Sequence, residues 1–271
     1  MRIDGSRIVI TGASSGIGLA VSRLLAQRGA ALVVASRHRP QLEAAVRSIA
    51  LTASGPLPIP VGCDVADQGN VRELIEIAMD HLGRIDVLIN NAGICVYGEM
   101  ESTAMSDVRE LFAVNFLGPL HAMLDIVPHM KQNRDGLVVN ILSAAALHGI
   151  PYLGAYGASK AALAAVSQSL RAELAEWGIR ITNVYPGYTA TPLFEHEKKV
   201  GGARRPTGSY EPVTSVARSV IRAIETETPE VVLSRDARRL AVLRGITPRL
   251  VNRAMKRLAA GLREPTQVRH V

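Results

Sequence analysis
The sequence predicts an α/β fold, a doubly wound parallel sheet of seven strands with helices on both faces. Three observations carry that expectation. Short apolar runs alternate with longer amphipathic stretches through the first 235 residues. Each run is nearly continuous in apolar residues, as strands covered on both faces require. Glycines cluster where the runs hand over to the stretches. The chain has 271 residues and is 48% hydrophobic, enough for one large domain over 1–235 and an appendage over 236–271. No apolar run approaches the roughly 18–20 residues that span a bilayer. The start lacks the pattern of a leader, so a cytoplasmic protein is expected. Cys63 and Cys95 have no metal-ligand spacing; buried reduced thiols and no metal are expected.

In order, Ile8 to Ile10 reads as the first strand. Ile17, Ala20, Val21, Leu24 and Leu25 then make one face of a helix that stops at Gly29. Leu32 to Val34 is the second strand, and Pro40 opens the next helix. Ile59 to Cys63 is the third strand, and Asp67 can cap a helix that Gly83 ends. Ile85 to Asn90 is the fourth strand, followed by one long helix from about Thr103 to Val127. Leu137 to Leu142 is the fifth strand, Gly154 to Trp177 a helix, and Ile179 to Val184 the sixth strand. A loop of about 25 residues runs to Glu211, a helix follows Pro212, and Val231 to Leu233 is the seventh strand. Ligands of such sheets bind beyond the carboxyl ends of the strands.

The first strand leads into Thr11-Gly12-Ala13-Ser14-Ser15-Gly16-Ile17-Gly18. Glycines there permit a tight turn and a close backbone approach to a pyrophosphate, which the helix N-terminus favours. The second strand ends in Ser36 and Arg37, where an NAD-specific site usually carries an acid; an arginine can hold the 2′-phosphate of NADP. Tyr156 and Lys160 stand four apart on a helical segment and so share a face. A lysine cation beside a phenol favours phenolate, and a phenol so tuned can exchange a proton with a carbonyl or alcohol.

The spacing of Gly12, Gly16 and Gly18, the Asn90-Asn91-Ala92-Gly93 run and the Tyr156/Lys160 pair resemble the short-chain dehydrogenase/reductase family, over about residues 6–235. The resemblance implies a Rossmann-type sheet and an NADP(H)-dependent oxidoreductase. It implies Tyr156 as acid/base, Ser143 on the substrate oxygen, Lys160 on the tyrosine and the cofactor ribose, and Asn115 holding a water that links the lysine to solvent. It places Ser14, Ser15 and Ile17 with the glycines on the pyrophosphate. Asp64 and Val65 would meet the adenine, although Asp64 alone reads equally as a local turn. Asn91, Ala92 and Gly93 would border the ribose, and Pro186, Gly187, Thr189 and Thr191 the nicotinamide carboxamide. Ser159 is the nearby decoy, since it points to a different helical face. Relatives imply a homodimer or homotetramer joined through the helices near 103–127 and 154–177. The competing reading is a cofactor-binding sensor or scaffold without turnover.

The substrate is expected among Ile94, Val96, Tyr97, Leu147, His148, Ile150, Tyr152, Leu193 and Phe194, a set that points to a lipophilic carbonyl or secondary alcohol. Glu195 to Gly202 reads as either a lid or a solvated loop. The net charge of +7 lies wholly in the tail: residues 1–229 balance, whereas 230–271 hold ten basic residues against three acidic. Val251, Met255, Leu258 and Leu262 form an apolar stripe there, opposed by Arg249, Arg253, Lys256 and Arg257. That pattern fits self-packing, an oligomer contact or a peripheral membrane contact; without interleaved aromatics it argues against nucleic acid.

Overall fold
The computed structural model of the chain describes residues 1–195, 197–206 and 210–263. Its main sheet holds seven parallel strands: β1 (Arg7–Thr11), β2 (Ala31–Ser36), β3 (Ile59–Gly62), β4 (Val87–Asn90), β6 (Gly136–Ile141), β7 (Ile179–Tyr185) and β9 (Glu230–Val232). Their spatial order is β3-β2-β1-β4-β6-β7-β9, so the winding reverses between β1 and β4. Along β1 successive side chains enter opposite layers: Val9 joins the core under one face, Ile8 and Ile10 the core under the other. Two buried layers explain why the strands read as unbroken apolar runs.

Helices α1 (Gly16–Ala26), α2 (Arg39–Ala50), α3 (Gln68–Leu82), α6 (Gly154–Glu173) and α8 (Val213–Thr226) lie where their patterns place them. Asp67 caps α3, its carboxylate accepting from the Asn70 N–H at 2.8 Å, and Gly83 ends it at φ +74°. The long helix is different. It consists of α4 (Met105–Phe112), a π-helical turn over Ala113–Leu117, and α5 (Gly118–Asn133). The stretch Met105–Asn133 is apolar and long enough to cross a membrane, yet 44% of its apolar 18-residue window is buried inside the protein.

The expected loop after β7 also carries structure. It contains α7 (Pro192–Glu195) and β8 (Lys198–Val200), and β8 pairs in parallel with β5 (Val96–Gly98), Val96 opposite Lys198. Three-residue strands a hundred positions apart leave no periodic trace in the sequence. The tail forms α9 (Arg235–Ile246) and α10 (Pro248–Leu262), broken at Thr247. On α10, Val251 and Leu262 are buried, so the predicted stripe faces the protein's own body.

Polar residues also cross the sheet. Asn90 donates to Asn140 Oδ1 at 2.9 Å, and Asn140 donates to Ser167 Oγ at 2.9 Å and to Asn183 Oδ1 at 3.4 Å. The three asparagines are register partners on β4, β6 and β7. A one-residue slip would bury these amides without partners, so they pin the register of the central strands.

Candidate active site
The carboxyl ends of β1, β2, β4, β6 and β7 open into one cleft of ≈ 610 Å³, a size suited to a cofactor. At its base the turn after β1 is locked to the turn after β4. Asn91 Nδ2 donates to the carbonyls of Thr11 and Gly12, both at 3.0 Å, and Thr11 Oγ1 accepts the N–H groups of Asn91 and Ala92. A Cβ on Gly12 would come within 2.7 Å of Ala92 Cα. One on Gly18 would overlap the Gly12 carbonyl. Gly18 therefore lies behind the cleft rather than on its lining: it lets α1 pack against the turn. Gly16 has φ +53°, a left-handed conformation that favours glycine.

Ser14, Ser15, Gly16 and Ile17 line the cleft at the start of α1. Ser36, at the end of β2, shares a hydrogen bond of 2.9 Å with Ser14. Arg37 is half-exposed, its guanidinium 3.9 Å from the Asp64 carboxylate. Asp64 Oδ1 accepts the Ala66 N–H at 3.0 Å, so the local turn is real, and Asp64 and Val65 also line the cleft. His38 and Gln41 border the same end, a contribution invisible without the fold because it comes from the first turn of α2.

Across the cleft lie Ala92, Gly93, Ser143, Tyr156 and Lys160, with Pro186, Gly187, Thr189 and Thr191 after β7. Thr189 is buried and donates to the Gly187 carbonyl at 3.1 Å, holding that loop against β7. Tyr156 and Lys160 sit on one face of α6, both buried. Lys160 Nζ donates to the Ile141 carbonyl at 3.0 Å. Burial is the largest influence on both. It holds the tyrosine as a neutral phenol, well above its ordinary value, while a Ser143 hydrogen bond pulls the other way. It lowers the lysine from 10.5 to about 8. The expected lowering of the phenol is thus outweighed by desolvation within the protein itself.

Asn115 lies in the π turn, fully buried and off the cleft. Both amide protons are used: Oδ1 accepts the Ile94 N–H, and Nδ2 donates to the Ile94 carbonyl and to Ser159 Oγ, at 3.0, 3.0 and 3.1 Å. Ser159 lies off the cleft lining and passes the link on to the Tyr156 carbonyl at 2.8 Å. Asn115 and Ser159 together tie the π turn to the segment after β4 and to α6.

On the substrate side, Ile94, Leu142, Pro192 and Leu193 line the cleft, joined by Cys95. Val96 and Tyr97 do not: both are buried core of β5, with Tyr97 Oη donating to the Arg204 carbonyl at 2.9 Å. Tyr152 donates to the Ala259 carbonyl of α10 at 2.9 Å. Ile150 packs with them against the same small core. The Phe194 side chain and His196 lie outside the described residues. Arg205 reaches this side of the molecule but is paired with Glu197 at 2.6 Å. Cys63 and Cys95 are free buried thiols, each pushed up to about 12 by burial first of all.

Comparison with known proteins agrees with this geometry. The chain is 33% identical over 234 residues to a ketoacyl reductase, HetN, of a Nostoc species, covering 86% of this chain and 80% of that one. It is 32% identical over 256 residues to mouse dehydrogenase/reductase SDR family member 7B, covering 92% and 79%. Among solved structures, a short-chain dehydrogenase from Burkholderia cenocepacia in complex with NADP superposes with a TM-score of 0.80 at 27% identity, covering 94% and 99%. One from Burkholderia phymatum in complex with NAD gives 0.83 at 25%, covering 92% and 96%. The family model described as short chain dehydrogenase matches residues 6–200, and the chain belongs to the short-chain dehydrogenase/reductase family.

Proposed function
We propose that the protein is an NADP(H)-dependent oxidoreductase that interconverts a lipophilic carbonyl compound and its secondary alcohol, with Tyr156 as acid/base. The observation that carries this reading is the half-buried Ser143 beside the buried Tyr156 and Lys160 on the wall of a dinucleotide-sized cleft.

The residues fit the cofactor. The turn from Gly12 to Gly18 offers backbone N–H groups and a helix N-terminus to a pyrophosphate. Ser36 leaves no carboxylate to repel a 2′-phosphate, and Arg37, loosely held at 3.9 Å from Asp64, can turn to it. When bound, the nicotinamide supplies or accepts the hydride. The chain's own groups do the rest. Ser143 donates a hydrogen bond to the substrate oxygen, where charge develops on reduction. Tyr156, held neutral by burial, gives that oxygen its proton. Lys160 places a positive charge behind the phenol and holds the ribose. Arg205 is held by Glu197 at 2.6 Å and so is unavailable as a carboxylate clamp, while Ile94 and Leu193 favour an apolar substrate. Exposed Leu117 and Leu124 on the α4–α5 face fit a homodimer or homotetramer contact.

Thermal unfolding with NADPH, with NADH and with neither tests the cofactor assignment. Ligand at about 100 times its dissociation constant adds roughly 2.7 kcal/mol. The larger shift is expected with NADPH; a larger one with NADH overturns the preference. For the chemistry, Tyr156→Phe is expected to lower turnover of a carbonyl panel about 10²–10⁴-fold while keeping the cofactor shift. Unchanged turnover would favour the sensor or scaffold reading.

A further inference from the structure
Among the described residues, an apolar patch is exposed where α9 meets α10, at the tip of the tail's two helices. Val242, Leu243 and Ile246 end α9 and Leu250 begins α10, and they are 61%, 45%, 71% and 58% exposed. The stripe read from the sequence is a different set: it faces inward. Behind the tip the exposed surface turns basic. On α9 the outward row runs Arg235, Arg238, Arg239, then Val242 and Ile246, at helical spacing. On α10 it runs Leu250, then Arg253 and Arg257. Residues 235–263 hold nine basic side chains and one acid, Asp236.

We propose that the α9–α10 helix pair docks on an anionic lipid surface, the apolar corner between them entering the acyl boundary and the arginines resting on the phosphates. Depth order supports lipid. Apolar groups lead and long cationic side chains follow a turn or two behind, where they can extend back to the headgroups. A second copy fits poorly, because a two-fold contact would set one basic face against another.

The surface is also joined to the substrate side of the cleft. Besides the Tyr152 bond to α10, the Arg204 N–H donates to the Leu262 carbonyl at 2.8 Å. Tyr152 holds a left-handed backbone, φ +66°, two residues before the catalytic helix. Docking would bring a lipophilic substrate's route next to the bilayer. That consequence rests on the oxidoreductase reading, whereas the docking does not.

The test is sedimentation of the full-length protein with vesicles of phosphatidylcholine alone or of equimolar phosphatidylcholine and phosphatidylserine. Binding is expected to the mixed vesicles only, and to weaken with salt. Arg253→Gln and Arg257→Gln should each lower partitioning about fivefold, the worth of one basic residue at such a surface. The pair Ile246→Asp with Leu250→Asp should abolish it, with an unchanged thermal midpoint showing an intact fold. No binding to mixed vesicles, or equal binding by the aspartate pair, overturns the proposal. So does a smaller elution volume for wild type than for that pair, which would assign the patch to a second copy.

Discussion

At the scale of single residues, the cofactor end depends on a charge that is present and one that is missing. Arg37 can contribute a charge-assisted contact, so Arg37→Ala should weaken NADPH about 10–100-fold and leave NADH nearly unchanged, read by titration. Ser36→Asp should reverse the preference. The buried Lys160 predicts a dependence on pH. Its value falls from 10.5 to about 8 on burial. Between those values the unfolded chain keeps a proton that the folded one has released, so this group's contribution to stability rises with pH. Below about 8 both states are charged and the contribution is flat. The stability difference between wild type and Lys160→Met, from denaturant midpoints, should therefore change only from about pH 8 to 10.5 and in wild type's favour.

At the scale of elements, the π turn organises the site. It holds Asn115 where its amide meets both Ile94 backbone groups and Ser159. Removing the amide orphans those partners at about 1–3 kcal/mol each. Asn115→Ala should thus lower the melting temperature by several degrees and Ser159→Ala by less, read by calorimetry. This element also marks where the sequence stops being legible. The strands, the glycine turn and the Tyr156/Lys160 pair were readable, because apolar runs and fixed spacings are local. That mid-helix Asn115 needed a reason was readable too. That the reason is a change of helix type was not, since it depends on partners 21 and 44 positions away. For the same cause Val96 and Tyr97 read as substrate contacts, when pairing with β8 makes them core.

At the scale of the molecule, the segment after β7 is stapled down. β8 pairs with β5, Lys198 bonds Asp107 at 2.6 Å, and Glu197 holds Arg205. Gly98 permits this, at φ +150° with no room for a Cβ beside the Val200 carbonyl. Gly98→Ala should release the segment, seen as faster proteolysis within 192–205 and a raised KM, with the cofactor-induced shift kept. The other whole-molecule feature is where the charge sits. A neutral body carrying its entire excess of +7 on one appendage is an electric dipole. Near a negatively charged solid such a particle rotates before it approaches, and on a sulfonated resin it is held by one end. Molecules immobilised that way would share one orientation, and most would stay accessible at the opposite end.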